Sequence, residues 1–236
     1  MSALPIYTCQ AAPAPLAGYL RRLLQPVVEA CRFDHWLPVE IRPTGRWSGW
    51  CASRDGAPDR RVSLTTKIVF YPAESILSLY IHESGHRLLE HAEVLDHGPE
   101  FFCLNAALLL RCASFFRLNP IFNLSFYELQ DCPAELESEP AWRGLALNWA
   151  LPLAAELAAS DAGAEALAEI VCERWQKFLQ ERENARVQAA QQVLAARKNA
   201  AAQMEQIEAL QSSLFVARTF LFVGWFCFLS VVCFVF

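Results

Sequence analysis

The chain has 236 residues, of which 54% are hydrophobic, and a formal net charge of -5. This length suits one sizeable domain with appendages, and the acidic balance gives no basic surface for a nucleic-acid partner. Its nine cysteines are an odd number with no C-x-x-C pair. That usage argues against a disulfide framework or a cysteine zinc ribbon, and it fits a reducing compartment. The first nine residues show no basic-then-apolar pattern, so no secretory signal peptide is expected.

The first half of the chain predicts one helix followed by short strands. Apolar side chains at helical spacing predict a helix over 14–31, which Pro26 would kink or divide. Alternating or aromatic segments at 38–42, 46–51 and 61–65 predict three strands, and Asp55-Gly56 between the last two suits a hairpin turn. A meander of these strands would make a small antiparallel sheet, which places the domain in the α+β class.

The next helix carries the chemistry. It is predicted from residue 73 to about residue 95, and it contains His82-Glu83-Ser84-Gly85-His86, an H-E-x-x-H motif. Residues four apart share one helix face, so the two imidazoles can reach one metal ion. Glu83 is turned about 100° from His82, which puts it beside the metal, where a general base belongs. A second apolar helix is predicted from residue 100 to about residue 117.

A catalytic zinc site needs a third protein ligand. His97 lies beyond the predicted turn at 96–99, so the chain can fold back and present it. His91 points about 180° from His82 and about 140° from His86 on a continuous helix, which argues against it. Three carboxylates stay open as alternatives, namely Glu90, Glu93 and Glu100.

Two details of the motif helix need an explanation from the fold. Gly85 costs roughly 1 kcal/mol relative to alanine inside a helix, so we expect another backbone, such as a strand, to approach it closely. An oxyanion formed during hydrolysis needs a donor, and three nearby side chains qualify by type: Tyr71, Tyr80 and Arg87.

Residues 49–113 resemble the SprT-like metallopeptidases, which include the Spartan proteases. The resemblance is carried by Arg61-Val62-Ser63-Leu64, by His82-Glu83-Ser84-Gly85-His86, and by His97-Gly98-Pro99-Glu100-Phe101. It implies a small zincin-like fold with His82, His86 and His97 as zinc ligands and Glu83 as the base. Family members that act on DNA-crosslinked protein carry a cysteine ribbon or basic segments, and this chain has neither. The resemblance therefore implies fold and chemistry, and not a DNA-linked substrate.

The second half of the chain predicts a stalk and a membrane anchor. Residues 141–159 predict an amphipathic helix, and 161–213 predict a long helical stalk without proline. A coiled-coil seam through this stalk would pair two copies of the chain, along Ala200, Met204, Ile207, Gln211 and Leu214. Residues 214–236 carry one charge, Arg218, and are long enough to cross a bilayer. The basic residues on the N-terminal side of the span place that side in the cytoplasm.

The sequence thus predicts three parts: a zincin-like metallopeptidase domain over 1–160, a stalk over 161–213 and a single transmembrane anchor over 214–236. The function expected is a zinc-dependent metallopeptidase that hydrolyses peptide bonds of a protein substrate, with Glu83 activating the attacking water. One alternative is an inactive zincin-fold membrane scaffold that acts through its stalk. A zinc hydrolase acting on something other than peptides is a third reading.

Overall fold

The computed structural model describes residues 4, 6–8, 14–33, 37–43, 49–52, 61–90, 97–120 and 144–235. Two compact units make up the chain, Met1–Lys177 and Phe178–Phe236. The first unit contains the sheet, the H-E-x-x-H helix and most of the buried side chains. The second unit is the remainder of one long helix.

The described part of the first unit holds one sheet with strands β1 (Ile6–Thr8), β2 (Val39–Arg42), β3 (Gly49–Ala52) and β4 (Arg61–Thr65). Their order is β1-β2-β4-β3. β3 pairs antiparallel with β4 as expected, but β2 pairs in parallel with both β1 and β4. The predicted antiparallel meander is therefore wrong for β2, and the sheet is mixed.

The position of β4 explains this order. Every residue from Val62 to Thr65 is fully buried, so both faces of β4 are covered, as in a central strand. β3 consequently lies outside β4, at the end of the described sheet, rather than between β2 and β4. A helix connects β1 to β2, which is the kind of crossover that parallel neighbours need.

Four helices of the first unit pack around the sheet and one another. They are α1 (Ala14–Cys31), α2 (Ala73–Leu89), α3 (Pro99–Arg111) and α4 (Leu151–Ala159). α1 runs unbroken through Pro26, because the buried Leu24, Val27 and Val28 hold it against the core. α3 starts at Pro99, one residue before its predicted start, and ends earlier than expected, with a 3-10 turn following at Ala113–Phe115.

The end of α2 also differs from its prediction. α2 stops at Leu89, and residues 91–96, where the helix was expected to continue, lie outside the described residues.

Before α4 the backbone forms a π-helical turn, Ala146–Ala150. Pro152 follows in the first turn of α4, where its missing N–H and its ring disfavour a regular α-helical bond to the preceding turn.

A long helix, α5 (Ala164–Val235, 72 residues), completes the chain. Its first turns belong to the first unit, because Leu167, Val171 and Trp175 are buried and the Trp175 ring lies 5.0 Å from that of Trp149. The first unit therefore reaches Lys177, beyond the boundary predicted after residue 160.

The second unit contains the predicted membrane span. Among the described helices, α5 is the one long and apolar enough to cross a membrane by length and composition. Its most apolar 18-residue window has a mean hydropathy of 1.3 and is not buried by the rest of the chain. An apolar surface of this length without protein cover is compatible with a lipid environment.

Candidate metal centre

Three histidines converge at the C-terminal half of α2 and the start of α3. His82 and His86 lie one turn apart on α2, and His97 lies in the turn before Gly98 and Pro99. The Nε2 atom of His82 is 3.2 Å from that of His86 and 3.4 Å from that of His97. The ligand atoms of the three residues all lie within 4.8 Å of one another. The structure therefore brings together the three residues expected to bind the metal.

The spacing of these nitrogens fits a shared metal ion. A zinc ion binds imidazole nitrogen at about 2.0–2.1 Å, so two ligands of a tetrahedral site are separated by about 3.3 Å. Both distances from His82 Nε2 lie close to that value. The Nε2 atom of His82 carries either a proton or a lone pair. It therefore cannot donate a hydrogen bond to one of these two histidines while accepting one from the other. A cation shared by all three lone pairs satisfies this arrangement.

The neutral state of the His86 imidazole suits a metal ligand. Burial, followed by the influence of His82 and His97, lowers the pKa of His86 from 6.5 to about 3. Its imidazole is consequently neutral at neutral pH and offers a lone pair rather than a proton. Three imidazole donors suit zinc and several other divalent transition metals. The geometry thus shows a histidine group able to bind a metal ion.

One aromatic ring contacts all three imidazoles. Phe101, on α3, stacks on His86 with a centroid distance of 4.2 Å and an interplanar angle of 21°. It meets His82 and His97 edge to face at 4.9 and 5.2 Å. A Cβ atom built on Gly85 would lie 3.1 Å from Cε2 of this ring. The three atoms nearest to that Cβ all belong to the Phe101 side chain, rather than to the backbone expected there.

Glu83 lies on α2 directly after His82 and three residues before His86, a spacing that makes it a neighbour of His86 on the helix surface. Its side chain is buried, with 6% of the residue exposed. A carboxylate at this position is shielded from bulk water and adjacent to the histidine group. This position is compatible with the base role expected for Glu83 from the sequence.

The described carboxylates that were considered as alternative ligands, Glu90 and Glu100, do not join the histidine group. Glu90 forms an ion pair with Arg87. Glu100 is buried, and burial raises the pKa of its carboxyl. Burial also raises the pKa values of the Cys103 and Cys172 thiols, and the Glu100 carboxylate contributes in the same direction. Within the described part of the chain, the group that could hold a metal ion consists of the three histidines; Glu93 and His91 lie outside the described residues.

The structure removes one of the three candidate donors for an oxyanion. Tyr80 is fully buried, and its hydroxyl donates to the carbonyl oxygen of Leu37 at 3.2 Å. It is therefore committed to the core and faces no substrate. Tyr71 and Arg87 are partly exposed and remain the candidates of suitable chemistry.

Comparison with known proteins adds no relative: no protein-family model, curated protein or solved structure matches the chain. The resemblance to SprT-like metallopeptidases therefore rests on the residues of the motif themselves.

Proposed function

We propose that this protein is a membrane-anchored, zinc-dependent metallopeptidase with a zincin-like fold, acting on a protein or peptide substrate. The observation that carries the proposal is the convergence of the His82, His86 and His97 Nε2 atoms, with separations of 3.2 and 3.4 Å from His82. Glu83 adds a buried carboxylate on the same helix. A three-histidine site leaves one position of a tetrahedral metal for water or substrate.

Each residue then has a distinct role. A zinc ion at this site would polarise the scissile carbonyl and lower the pKa of water towards 7. His82, His86 and His97 would hold the ion through their imidazole nitrogens. Glu83 accepts a proton from the attacking water and passes it to the leaving amine. Tyr71 or Arg87 supplies the donor for the developing negative charge.

The sheet offers a way to bind an extended substrate. β3 is the last strand of the described sheet next to β4, and it packs near α2, which carries His82. A strand in this position can pair with an extended peptide through main-chain hydrogen bonds. The position of this strand beside the histidine-bearing helix favours peptides over compact small molecules as the substrate class.

The membrane part of the proposal rests on α5. Side chains from Leu214 to Phe226 are exposed and mostly apolar. Residues 219–236 carry no charge and are about long enough to cross a bilayer, with Arg218 at the interface. Arg197 and Lys198 on the N-terminal side support a cytoplasmic location for the peptidase unit.

Metal analysis of the full chain in detergent tests the site directly. We expect about one zinc per purified wild-type chain, lost in His82→Ala and His97→Ala because each removes one of three ligands. His35→Ala serves as the control, since His35 is the histidine outside the 82–97 cluster. Less than about 0.2 zinc per wild-type chain, unchanged in His82→Ala, would contradict the proposal.

Glu83→Gln separates an enzyme from a scaffold. This change keeps the shape of the side chain and the three histidines but removes the base, so zinc content should persist. Cleavage of a fluorogenic peptide library should fall by about 10²–10⁴-fold. Equal cellular function of Glu83→Gln and wild type would favour the inactive scaffold. Loss of cellular function with no peptide cleaved by wild type would favour a hydrolase of another bond.

A further inference from the structure

We propose that Phe101 is a positioning residue that pre-organises the three metal-binding histidines, and that Gly85 is present to admit its ring. This inference rests on the proposed metal site. It concerns how the site is held in shape, which none of the roles above explains. The starting observation is that one ring touches all three imidazoles at centroid distances of 4.2, 4.9 and 5.2 Å.

Histidine side chains need such a support. The terminal torsion of a histidine ring is broad, so the helix backbone alone leaves the direction of each Nε2 lone pair loosely defined. Stacking on Phe101 at 21° sets the plane of the His86 ring. Edge-to-face contacts at 74° and 88° set the planes of His82 and His97. These are the preferred arrangements of aromatic pairs, so the contacts also stabilise the rings where they lie.

Gly85 makes the central contact sterically feasible. It lies between His82 and His86 on α2, and the Phe101 ring covers it. Any side chain at this position would begin with a Cβ atom 3.1 Å from Cε2 of Phe101, which is closer than ordinary van der Waals contact. The ring would have to shift by a few tenths of an ångström, which would disturb its contacts with the imidazoles. The helix-propensity cost of this glycine, about 1 kcal/mol, is thereby explained by the site.

Phe101 also joins the two parts of the ligand set. It lies four residues after His97, in the first turn of α3, whose first hydrogen bond runs from the Phe102 N–H to the Gly98 carbonyl oxygen at 3.0 Å. The positions of His97 and Phe101 therefore both depend on the start of α3, while those of His82 and His86 depend on α2. The ring is 1% exposed and packs these two elements together at the metal site.

Zinc affinity of the full chain in detergent, measured by competition with a chelator, tests the inference. Phe101→Leu keeps an apolar side chain but removes the ring, and we expect a 10–100-fold loss, the usual effect of removing a residue that orients metal ligands. Phe102→Leu is the matched control. Phe102 is also buried, but it points about 100° around α3 from Phe101. Its substitution should leave zinc affinity within about twofold of wild type.

Gly85→Ala tests the same idea without opening a cavity in the core. The added methyl group should displace the ring and lower zinc affinity, whereas Gly18→Ala should not. Gly18 lies in α1, where a new Cβ would meet only the mobile end of Arg22, at 3.7 Å. Combining Gly85→Ala with Phe101→Leu should cost less than the sum of the two single losses, because the clash disappears with the ring.

The cobalt-substituted protein provides a readout that altered stability alone would not change. Visible absorption of bound Co²⁺ reports the symmetry of its ligands, so Phe101→Leu and Gly85→Ala should alter the spectrum while Phe102→Leu and Gly18→Ala keep it. Wild type that binds no zinc would overturn the proposed function. Wild type that binds zinc, with Phe101→Leu and Gly85→Ala matching their controls in affinity and spectrum, would overturn this inference alone.

Discussion

Two ionisable side chains of the first unit, His86 and Glu100, have pKa values shifted by their surroundings. His86 is held neutral by burial and by its two histidine neighbours, which keeps its lone pair available for a cation. Glu100 presents the opposite situation, because burial raises the pKa of its carboxyl above the ordinary 4.5. Burial therefore makes ionisation of Glu100 less favourable in the folded chain than in water.

This effect of burial predicts a stabilising substitution. In the unfolded chain Glu100 loses its proton near pH 4.5, whereas in the folded chain it keeps the proton to higher pH. Its contribution to the free energy of unfolding thus falls as pH rises above about 4.5. Glu100→Gln, which cannot ionise, should have a higher Tm than wild type at pH 7.5 and no advantage at pH 4.

Thermal unfolding of both chains in detergent, with metal removed by a chelator, measures the difference. Glu156→Gln is the control, because the Glu156 side chain is 65% exposed and only a distant partner of Arg174 at 3.7 Å. An equal Tm for Glu100→Gln and wild type at pH 7.5 would contradict the explanation.

At the scale of whole elements, Arg111 on α3 connects the ends of α1 and α4 through hydrogen bonds. From the last turn of α3 its guanidinium donates to the carbonyl oxygens of Cys31, Leu157 and Ser160, each at 3.1 Å. These oxygens belong to the C-terminal ends of α1 and α4, where carbonyl groups lack helical partners. The N–H of Ala164 donates to the Arg32 carbonyl at 3.1 Å and adds the start of α5.

Arg111→Met should therefore destabilise the first unit by about 3 kcal/mol, because carbonyl groups lose a charged donor while the aliphatic packing is kept. Denaturant unfolding of the full chain in detergent, followed by tryptophan fluorescence, measures this loss. Arg117→Met is the matched control, since the Arg117 side chain is 93% exposed. A similar stability for both variants would show that the Arg111 hydrogen bonds do not hold these helix ends together.

On the scale of the whole molecule, α5 takes part in both units. Its first turns bury Leu167, Val171 and Trp175 in the first unit, and from Phe178 onward its exposed residues form the second. Pairing of two stalks through Ala200, Met204, Ile207, Gln211 and Leu214 stays a prediction. Met204 and Ile207 are exposed in the single chain, so they are accessible to a second copy.

Membrane anchoring gives the prediction for the whole molecule. Each arginine placed near the centre of a transmembrane helix costs about 2.5–3.5 kcal/mol of insertion free energy. The double variant Val223→Arg/Phe226→Arg should consequently leave the membrane fraction after a carbonate wash, whereas wild type stays.

The control for this experiment carries the same charges in the stalk, as Val187→Arg/Leu194→Arg, and should stay with the membrane. Both of its positions are exposed on α5, at 45% and 55%. If Val223→Arg/Phe226→Arg also remained in the washed membranes, the apolar end of α5 would not be the anchor.

Local sequence patterns by themselves were enough to predict several helices of this protein and the spacing of the histidine motif. The spacing of His82, Glu83 and His86 depends only on the geometry of one helix, so it could be derived without knowing the fold. Pro99 and the preceding turn predicted the start of α3, and with it the freedom of His97 to turn back towards α2. The continuous helix from residue 164 followed from a long stretch without proline, and its apolar end from composition.

Contacts between distant segments were decided only by the tertiary structure. The parallel pairing of β2 with β4 depends on which strand is covered on both faces, and short alternating segments do not reveal this. Phe101 filling the space over Gly85, and Tyr80 donating to Leu37, join residues 16 and 43 positions apart. Such contacts are set by the packing of one element on another, a property that no single stretch of sequence carries.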